Sequence, residues 1–379
     1  MTVRLQEEED DMAPRDERVS RDVLLERTGR LSQVGGITAF THAEGKAKGV
    51  STLRVRTVRG LEFWVVPDKG MDIFEASYRG RSLSWHSPNG IVHPAYHSDR
   101  GLEWLKSFAG GLLCTCGLAA AGAPSEDAGE PLGLHGRISN IPAEQVRWTE
   151  AWEGDDCILT ASGKVRESSV HGTNLVLERT ISTSLHSCSL ALHDVVRNEG
   201  FHDSPLMVLY HFNFGYPLLT ERSRVYSPTQ STEAATAYAS RTQEEWHLFD
   251  VPEKGGEERV YFHRMQPDSR GRVTVVLVSD DANPEFGIAL SYDRDTLPEF
   301  VQWKMTAANH FVLGLEPANC RSLGRRAERE RGTLQTISPG ERREFRIELR
   351  VLDGASEVAD AIRETRAAPD VLDDSRPKT

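Results

Sequence analysis

The chain has no uninterrupted apolar run long enough to cross a bilayer, and hydrophobic residues make up only 38% of its 379 positions. No membrane-spanning helix is therefore expected. Residues 1–30 are crowded with charge, as in Glu7-Glu8-Glu9-Asp10-Asp11. They lack the apolar stretch of a secretory signal, which points to a cytoplasmic protein. Cysteine is scarce, and Cys114, Cys116, Cys157, Cys188 and Cys320 show neither zinc-finger nor redox spacing. Reduced thiols are expected, with Cys114 and Cys116 packed on one strand face and not holding a metal. There is no basic stripe. With 45 Lys and Arg against 57 Asp and Glu, the net charge of -12 argues against a nucleic-acid partner. The run from Arg321 to Arg331 has interspersed Glu and reads as a solvated loop or edge. Neither a Gly-rich phosphate loop nor the strand-helix alternation of dinucleotide-binding folds occurs.

What the chain does have is a succession of short alternating segments with turn signals between them. Leu53 to Val58, Leu61 to Val66, Met71 to Tyr78 and Ser82 to Trp85 are separated by Arg59-Gly60, Lys69-Gly70 and Arg79-Gly80. The same pattern recurs in ten further segments between Cys157 and Val351. Long loops are expected at about 86–110 and 118–145. This grammar predicts an all-β protein, one large antiparallel β-sandwich spanning 31–366. It is preceded by a mobile or loosely docked arm over 1–30, with a short helix around Asp22 to Arg27, and followed by a polar tail over 367–379. Helical periodicity is otherwise convincing only from Ser356 to Thr365, where Val358, Ala361 and Ile362 form an apolar stripe.

Three polar motifs stand out against the strands. In Leu206 to Phe214, alternation puts Leu206, Val208, Tyr210, Phe212 and Phe214 on one face, and Met207, Leu209, His211 and Asn213 on the other. A second motif, Gly133-Leu134-His135-Gly136-Arg137, carries a histidine between glycines at the end of a long loop. The third, Val312-Leu313-Gly314-Leu315-Glu316-Pro317, ends an apolar strand with a carboxylate that needs a partner or a cleft. In the preceding strand Gln302 and Lys304 share a face and are candidate substrate contacts, and Lys304 is expected to keep Glu316 ionised if the two strands pair. A His and a Glu in one cleft can move protons on a sugar hemiacetal: the carboxylate takes the anomeric proton and an imidazolium donates to the ring oxygen. Such chemistry requires no metal or redox cofactor. The histidines at 86, 93 and 97 form a separate cluster, expected to belong to a loop lining the substrate site and not to a metal centre.

In their order and joint presence, Leu134-His135-Gly136-Arg137, Tyr210-His211-Phe212-Asn213-Phe214-Gly215 and Gly314-Leu315-Glu316-Pro317 resemble the motifs of the aldose 1-epimerase, or galactose mutarotase-like, superfamily. Asp68-Lys69-Gly70-Met71-Asp72-Ile73 resembles the early motif of its branch known as a domain of unknown function, and the likeness spans roughly residues 30–352. The resemblance implies a β-supersandwich with a shallow sugar site on one sheet. It also implies His211 as general acid, Glu316 as general base and His135 as a substrate-positioning group, with Asn213 orienting His211 or binding a hydroxyl. Asp72 and Lys69 would be further substrate contacts, and Arg137 either a contact or structural. Typical galactose mutarotases carry an Asn and Arg pair in the early motif, so the hydroxyl pattern read here should differ. A charged or derivatised sugar, or epimerisation at a non-anomeric carbon, then comes into play. A non-catalytic carbohydrate-binding protein is the alternative from another class, since Trp85, Tyr96 and Trp104 would suit a sugar face in either role. The expected partner is a small sugar, and the chain would be a monomer or a homodimer paired through exposed sheet edges.

Overall fold

The computed structural model describes residues 19–366, so most of the expected arm and all of the tail lie outside the described residues. Two large antiparallel sheets, of eleven and eight strands, dominate it. In the larger sheet Asp72–Tyr78, Leu113–Leu118, Met207–Phe214, His310–Ala318, Glu299–Ala307 and Arg259–Met265 are consecutive neighbours. The middle of the smaller sheet runs Asn174–Ser184, Ser189–Asn198, Arg342–Asp353, Phe286–Asp293. Their facing side chains, such as Val208, Tyr210 and Leu315 from one and Leu177, Leu192 and Leu349 from the other, form a single apolar core. This is the all-β sandwich the alternation predicts.

Where a strand is apolar on both faces, a second layer covers it. The strand Arg272–Val278 turns Val273, Val275 and Leu277 to the core, while Val276 and Val278 pack against Val358 and Ala361 of the helix Ala355–Arg366. Met207–Phe214 is likewise buried over its whole length. Val208, Tyr210, Phe212 and Phe214 enter the inter-sheet core, and Met207 and Leu209 join Trp85, Trp104, Cys114 and Cys116 beneath the loops on the outer face. The face assignment from alternation holds residue for residue. Cys114 and Cys116 are packed as small apolar groups.

Among the strands not anticipated, the longest are Gly36–Thr41, Glu144–Glu153 and Thr229–Ala234, while Ser125–Asp127 and Glu130–Leu132 form a short hairpin within the expected 118–145 loop. The longest three are sheet edges. An edge strand carries polar side chains that discourage pairing with other molecules, and that polarity erases the alternation by which strands are read. The basic run from Arg321 is also corrected. Residues Arg325–Arg331 form a helix in which Arg325 is buried, its Nε 2.7 Å from Asp127 Oδ2. Glu328, buried as well, accepts from Thr333 Oγ1 at 2.6 Å. The short helix Arg21–Arg27 is capped by Ser20 and docks Leu24 into the inter-sheet core.

A buried network ties the sheets together behind the outer-face layer. All five N–H groups of Arg179 are used. Nε and Nη2 donate to the Asp194 carboxylate at 2.9 and 2.6 Å, Nη1 donates to Asp72 Oδ1 at 2.7 Å and Gly70 O at 3.2 Å, and Nη2 reaches Thr115 Oγ1 at 2.8 Å. Tyr210 donates to Asp194 at 2.8 Å. A buried cation so fully satisfied is rigid, and it anchors the backs of the strands that carry Cys114 and His211 on their outer faces.

Candidate functional site

His211 and Glu316 come together because their strands are neighbours. Met207–Phe214 pairs with His310–Ala318 in the register Asn213 opposite Gly314, so Gly314 and Glu316 share the outer face with His211 and Asn213. Nε2 of His211 lies 3.2 Å from Oε1 of Glu316, and the two residues are only 5% and 2% exposed. Contact at that distance is made without the alignment of a hydrogen bond, so Glu316 Oε1 remains unpartnered. His211 Nδ1, Asn213 Oδ1 and His135 Nδ1 are also buried without a partner. Buried polar atoms are nearly always satisfied. Of these residues His135, His211 and Glu316 line one cavity, while Asn213, fully buried, does not.

A glycine makes the pair possible. A Cβ on Gly314 would stand 2.6 Å from Glu316 Oε1, 3.0 Å from Trp303 Cβ and 3.1 Å from His211 Cε1. Trp303 is the directly opposed residue of the next strand and cannot withdraw. Gly314→Ala is therefore expected to displace the carboxylate and cost about 1–3 kcal/mol of stability through overpacking. Urea unfolding and structure determination of the variant check it; an undisturbed Glu316 would show that the space is not needed.

His135 arrives from a loop. It has a positive φ of 58°, a conformation in which His is among the better-tolerated residues. The backbone is stitched in place: His135 N donates to Gly122 O at 2.8 Å, and Gly117 N to His135 O at 3.1 Å. Gly136, with φ 71°, has no room for a side chain, since a Cβ would lie 2.2 Å from Ala120 O. The imidazole packs on Trp104 at 4.7 Å between ring centroids and meets His211 edge-on at 5.9 Å.

These groups line a cavity of about 380 Å³ whose walls include Trp104, Phe108, Val301 and Trp303. Its volume is within the range of small-molecule sites. Trp104 and Phe108 are stacked 4.4 Å apart, and Phe108 and Trp303 flank His211 at 5.7 and 5.4 Å. In this dry setting charge is disfavoured on every member. Burial lowers His135 to about 4. Burial, and then the neighbouring His135, lowers His211 to about 3. Burial, and then the carboxylate of Glu258, raises Glu316 well above the usual carboxylate range. Burial thus favours the neutral form of both partners, with the pair's proton on Glu316 and not on His211.

The other residues singled out in the sequence lie elsewhere. Strand Glu299–Ala307 does pair with His310–Ala318, but with Val301 opposite Glu316 and Lys304 opposite Leu313. Lys304 and Gln302 therefore project from the face away from Glu316. Lys304 Nζ donates to Leu248 O at 2.5 Å, Gln302 Nε2 to Trp246 O at 2.8 Å, and the expected support of Glu316 by Lys304 does not exist. Asp72 belongs to the Arg179 network. Lys69 donates to Asn140 Oδ1 and, at 3.4 Å, to Ser107 O. Both line a smaller cavity of about 30 Å³, room for one water and no sugar. Arg137 reaches Glu167 at 3.6 Å. The 86–97 histidines do not line the larger cavity: His86 stacks on Phe74 at 4.4 Å, His93 accepts from Ala95 N, and His97 meets Ser107 Oγ at 3.1 Å. No group of three or more metal-ligating side chains occurs among the described residues. Sequence reasoning missed Phe108 and Glu258, and it placed Trp303 away from the site. Glu258, which accepts from Trp303 Nε1 at 2.9 Å, carries no local signal in a polar loop.

The model of a family described as a domain of unknown function (DUF4432) matches residues 47–351, a span that includes His135, His211 and Glu316. Among solved structures, a candidate aldose 1-epimerase from Klebsiella pneumoniae is 26% identical, with a TM-score of 0.84 over 88% of each chain. A galactose mutarotase-like protein from Clostridium acetobutylicum, 12% identical, has a TM-score of 0.56 over 84% of this chain and 99% of that one. A galactose 1-epimerase from Lactobacillus acidophilus NCFM, 11% identical, has a TM-score of 0.53 over the same shares. These last two share the fold. No curated protein matches the chain.

Proposed function

The chain belongs to the DUF4432 family, and we propose that it is an aldose 1-epimerase-like isomerase that interconverts sugar anomers by acid-base ring opening and closure. The observation that carries this reading is the His211–Glu316 pair, 3.2 Å apart on the floor of an aromatic-walled cavity. The anomeric oxygen and the ring oxygen of an aldose are bonded to one carbon, so two groups this close can serve both at once. Between them the residues hold one shared proton.

A bound sugar reverses the preference of the buried pair for its neutral form. The anomeric O–H donates to Glu316 and the ring oxygen accepts from His211 Nε2, so that the ionised arrangement, carboxylate and imidazolium, becomes the reactive one. Asn213 favours the protonated ring of His211. Glu316 then takes the anomeric proton while His211 delivers its own to the ring oxygen and the ring bond breaks. Rotation about the bond between the carbonyl carbon and its neighbour, followed by closure with the roles reversed, gives the other anomer. His135 flanks the His211 ring and positions the substrate. The balance needs no oxidant and no external base.

Exchange between anomers, followed by NMR of the anomeric protons on a panel of aldoses, tests the reading. Acceleration of that exchange is expected, without solvent deuterium at carbon. Deuterium at carbon would instead mean epimerisation through an enediol, and binding without exchange a carbohydrate-binding protein.

The pH profile is a second expectation. With His211 lowered to about 3, the histidine itself should give activity no inflection near its ordinary value of about 6.5, and the alkaline limb is set by Glu316, whose pKa is raised above the carboxylate range. The negative charge of Glu258 favours the protonated pair. Glu258→Gln removes that charge, lowers the pair's upper titration and moves the alkaline limb to lower pH. An unchanged limb would show that Glu258 does not act on Glu316.

A further inference from the structure

The cavity around His211 and Glu316 is poor in groups that read hydroxyls. Beyond the two histidines and Glu316, its polar side chains are Glu258 and Ser322. The rest of the lining is apolar, and it continues out to the rim, where Leu102 and Leu105 are 61% and 49% exposed. No Lys or Arg lines it among the described residues. Several cations beside its lining residues in sequence are paired outside it: Lys304 with backbone carbonyls on the other face, Arg137 with Glu167, Arg259 with Asp250, and Arg321 with Glu233 and Glu299.

Glu258 is held by the indole of Trp303, on the side of strand Glu299–Ala307. Leu102 and Leu105 flank Trp104 in the chain, and Trp104 packs on His135 and Phe108. A sugar seated with its anomeric centre on the acid-base pair therefore meets, apart from Glu258 and Ser322, an alkyl and aromatic wall. A hydroxyl pressed on that wall gives up water without gaining a partner. A methyl or methylene in its place buries apolar surface against rings and leucines.

We infer that the cavity takes an uncharged deoxy sugar, an aldose in which a hydroxyl remote from the reacting centre is replaced by hydrogen and the resulting apolar carbon faces Leu102, Leu105 and Phe108. Sugar phosphates and uronic acids are disfavoured, because beyond the acid-base pair the cavity offers an anionic substituent the Glu258 side chain and no lysine or arginine. The inference rests on the epimerase reading for the seat of the anomeric carbon. The wall itself is a property of the cavity whether or not turnover occurs.

Matched pairs give the test: 6-deoxy-D-galactose against D-galactose, 6-deoxy-L-mannose against L-mannose, 6-deoxy-D-glucose against D-glucose, with D-galacturonate and D-glucose 6-phosphate as anionic probes. Anomer exchange is measured by NMR, and binding by saturation transfer and by quenching of tryptophan fluorescence. At least one deoxy member should exceed its hydroxylated partner by about 10- to 100-fold in kcat/KM, the range set by desolvating one unpaired hydroxyl, and the anionic probes should be inert. Leu105→Asn, at a half-exposed rim position that tolerates a polar group, should shrink that ratio at least threefold by giving the extra hydroxyl a partner. Hydroxylated members equal to or better than every deoxy partner, or turnover of an anionic probe, would overturn the inference. If no sugar is turned over but a deoxy member still binds more than tenfold tighter, the epimerase reading fails and the ligand class stands; binding without preference, or no binding at all, removes both.

Discussion

Glu316→Gln is expected to slow anomer exchange by about 10²- to 10⁴-fold, and His211→Ala by a similar factor, since each removes one positioned proton transfer. The double variant should be little worse than either single one, because the two residues act as a unit around one proton. Glu316→Gln is close to isosteric, and its effect on folding has a definite sign. Glu316 has a folded-state pKa raised above its unfolded value, so its contribution to stability is fully present below the unfolded value and is lost as pH rises through the folded one. The amide abolishes that loss. The variant should melt at or above the temperature of the parent protein, and the difference should grow with pH. His211 has the opposite sign. With its folded value lowered to about 3, it lowers stability as pH falls from about 6.5 toward 3, and His211→Ala should reduce acid sensitivity even as it opens a cavity. NMR exchange rates together with melting curves at several pH values separate lost chemistry from lost folding. Full-rate exchange in either variant would remove the residue from the mechanism.

The second large effect lies behind the site. Arg179→Met is expected to cost about 3–5 kcal/mol, because it leaves two carboxylates, Asp72 and Asp194, buried without their shared cation. Asp72→Asn should cost much less, since Arg179 keeps its two bonds to Asp194. Equilibrium urea unfolding measures both. Equal costs would mean that the network is not organised around the arginine. The distinction matters for the reading of the early motif: Asp72 spans the two sheets and reaches Thr115, the residue next to Cys114. A loss of activity on its substitution would be transmitted through the strand that pairs with His211, not through a lost sugar contact. Such a loss should appear in kcat and in stability together.

The residues that came together as expected are those whose placement follows from period and sequence order. Within Met207–Phe214, alternation alone separates the core face from the face of His211 and Asn213, because successive side chains of a strand point to opposite sides whatever the strand pairs with. The flanking glycines of His135 likewise announce a backbone that needs unusual conformations, and Gly314 beside Glu316 hints at close approach. The β-sandwich itself follows from the repeated short segments and their turns.

What local pattern does not carry is which face of one strand meets which face of the next. Gln302 and Lys304 lie on one side of their strand and Val301 and Trp303 on the other, and sequence alone makes both choices equally good partners for Glu316. Register decided it: Val301 stands opposite Glu316, and a slip of one residue would have reversed every assignment. The long loops were undecided for the same reason. Trp104, Phe108 and Glu258 reach the cavity through contacts between segments far apart in the chain, and the charged early motif was drawn away from it by Arg179, a residue more than a hundred positions distant. The sequence by itself determined most of the strands, their inner and outer faces and the candidates His211 and Glu316. Only the tertiary structure, through register and long-range ion pairing, decided what surrounds that pair, and with it a cavity lined by rings and leucines and free of cations among the described residues.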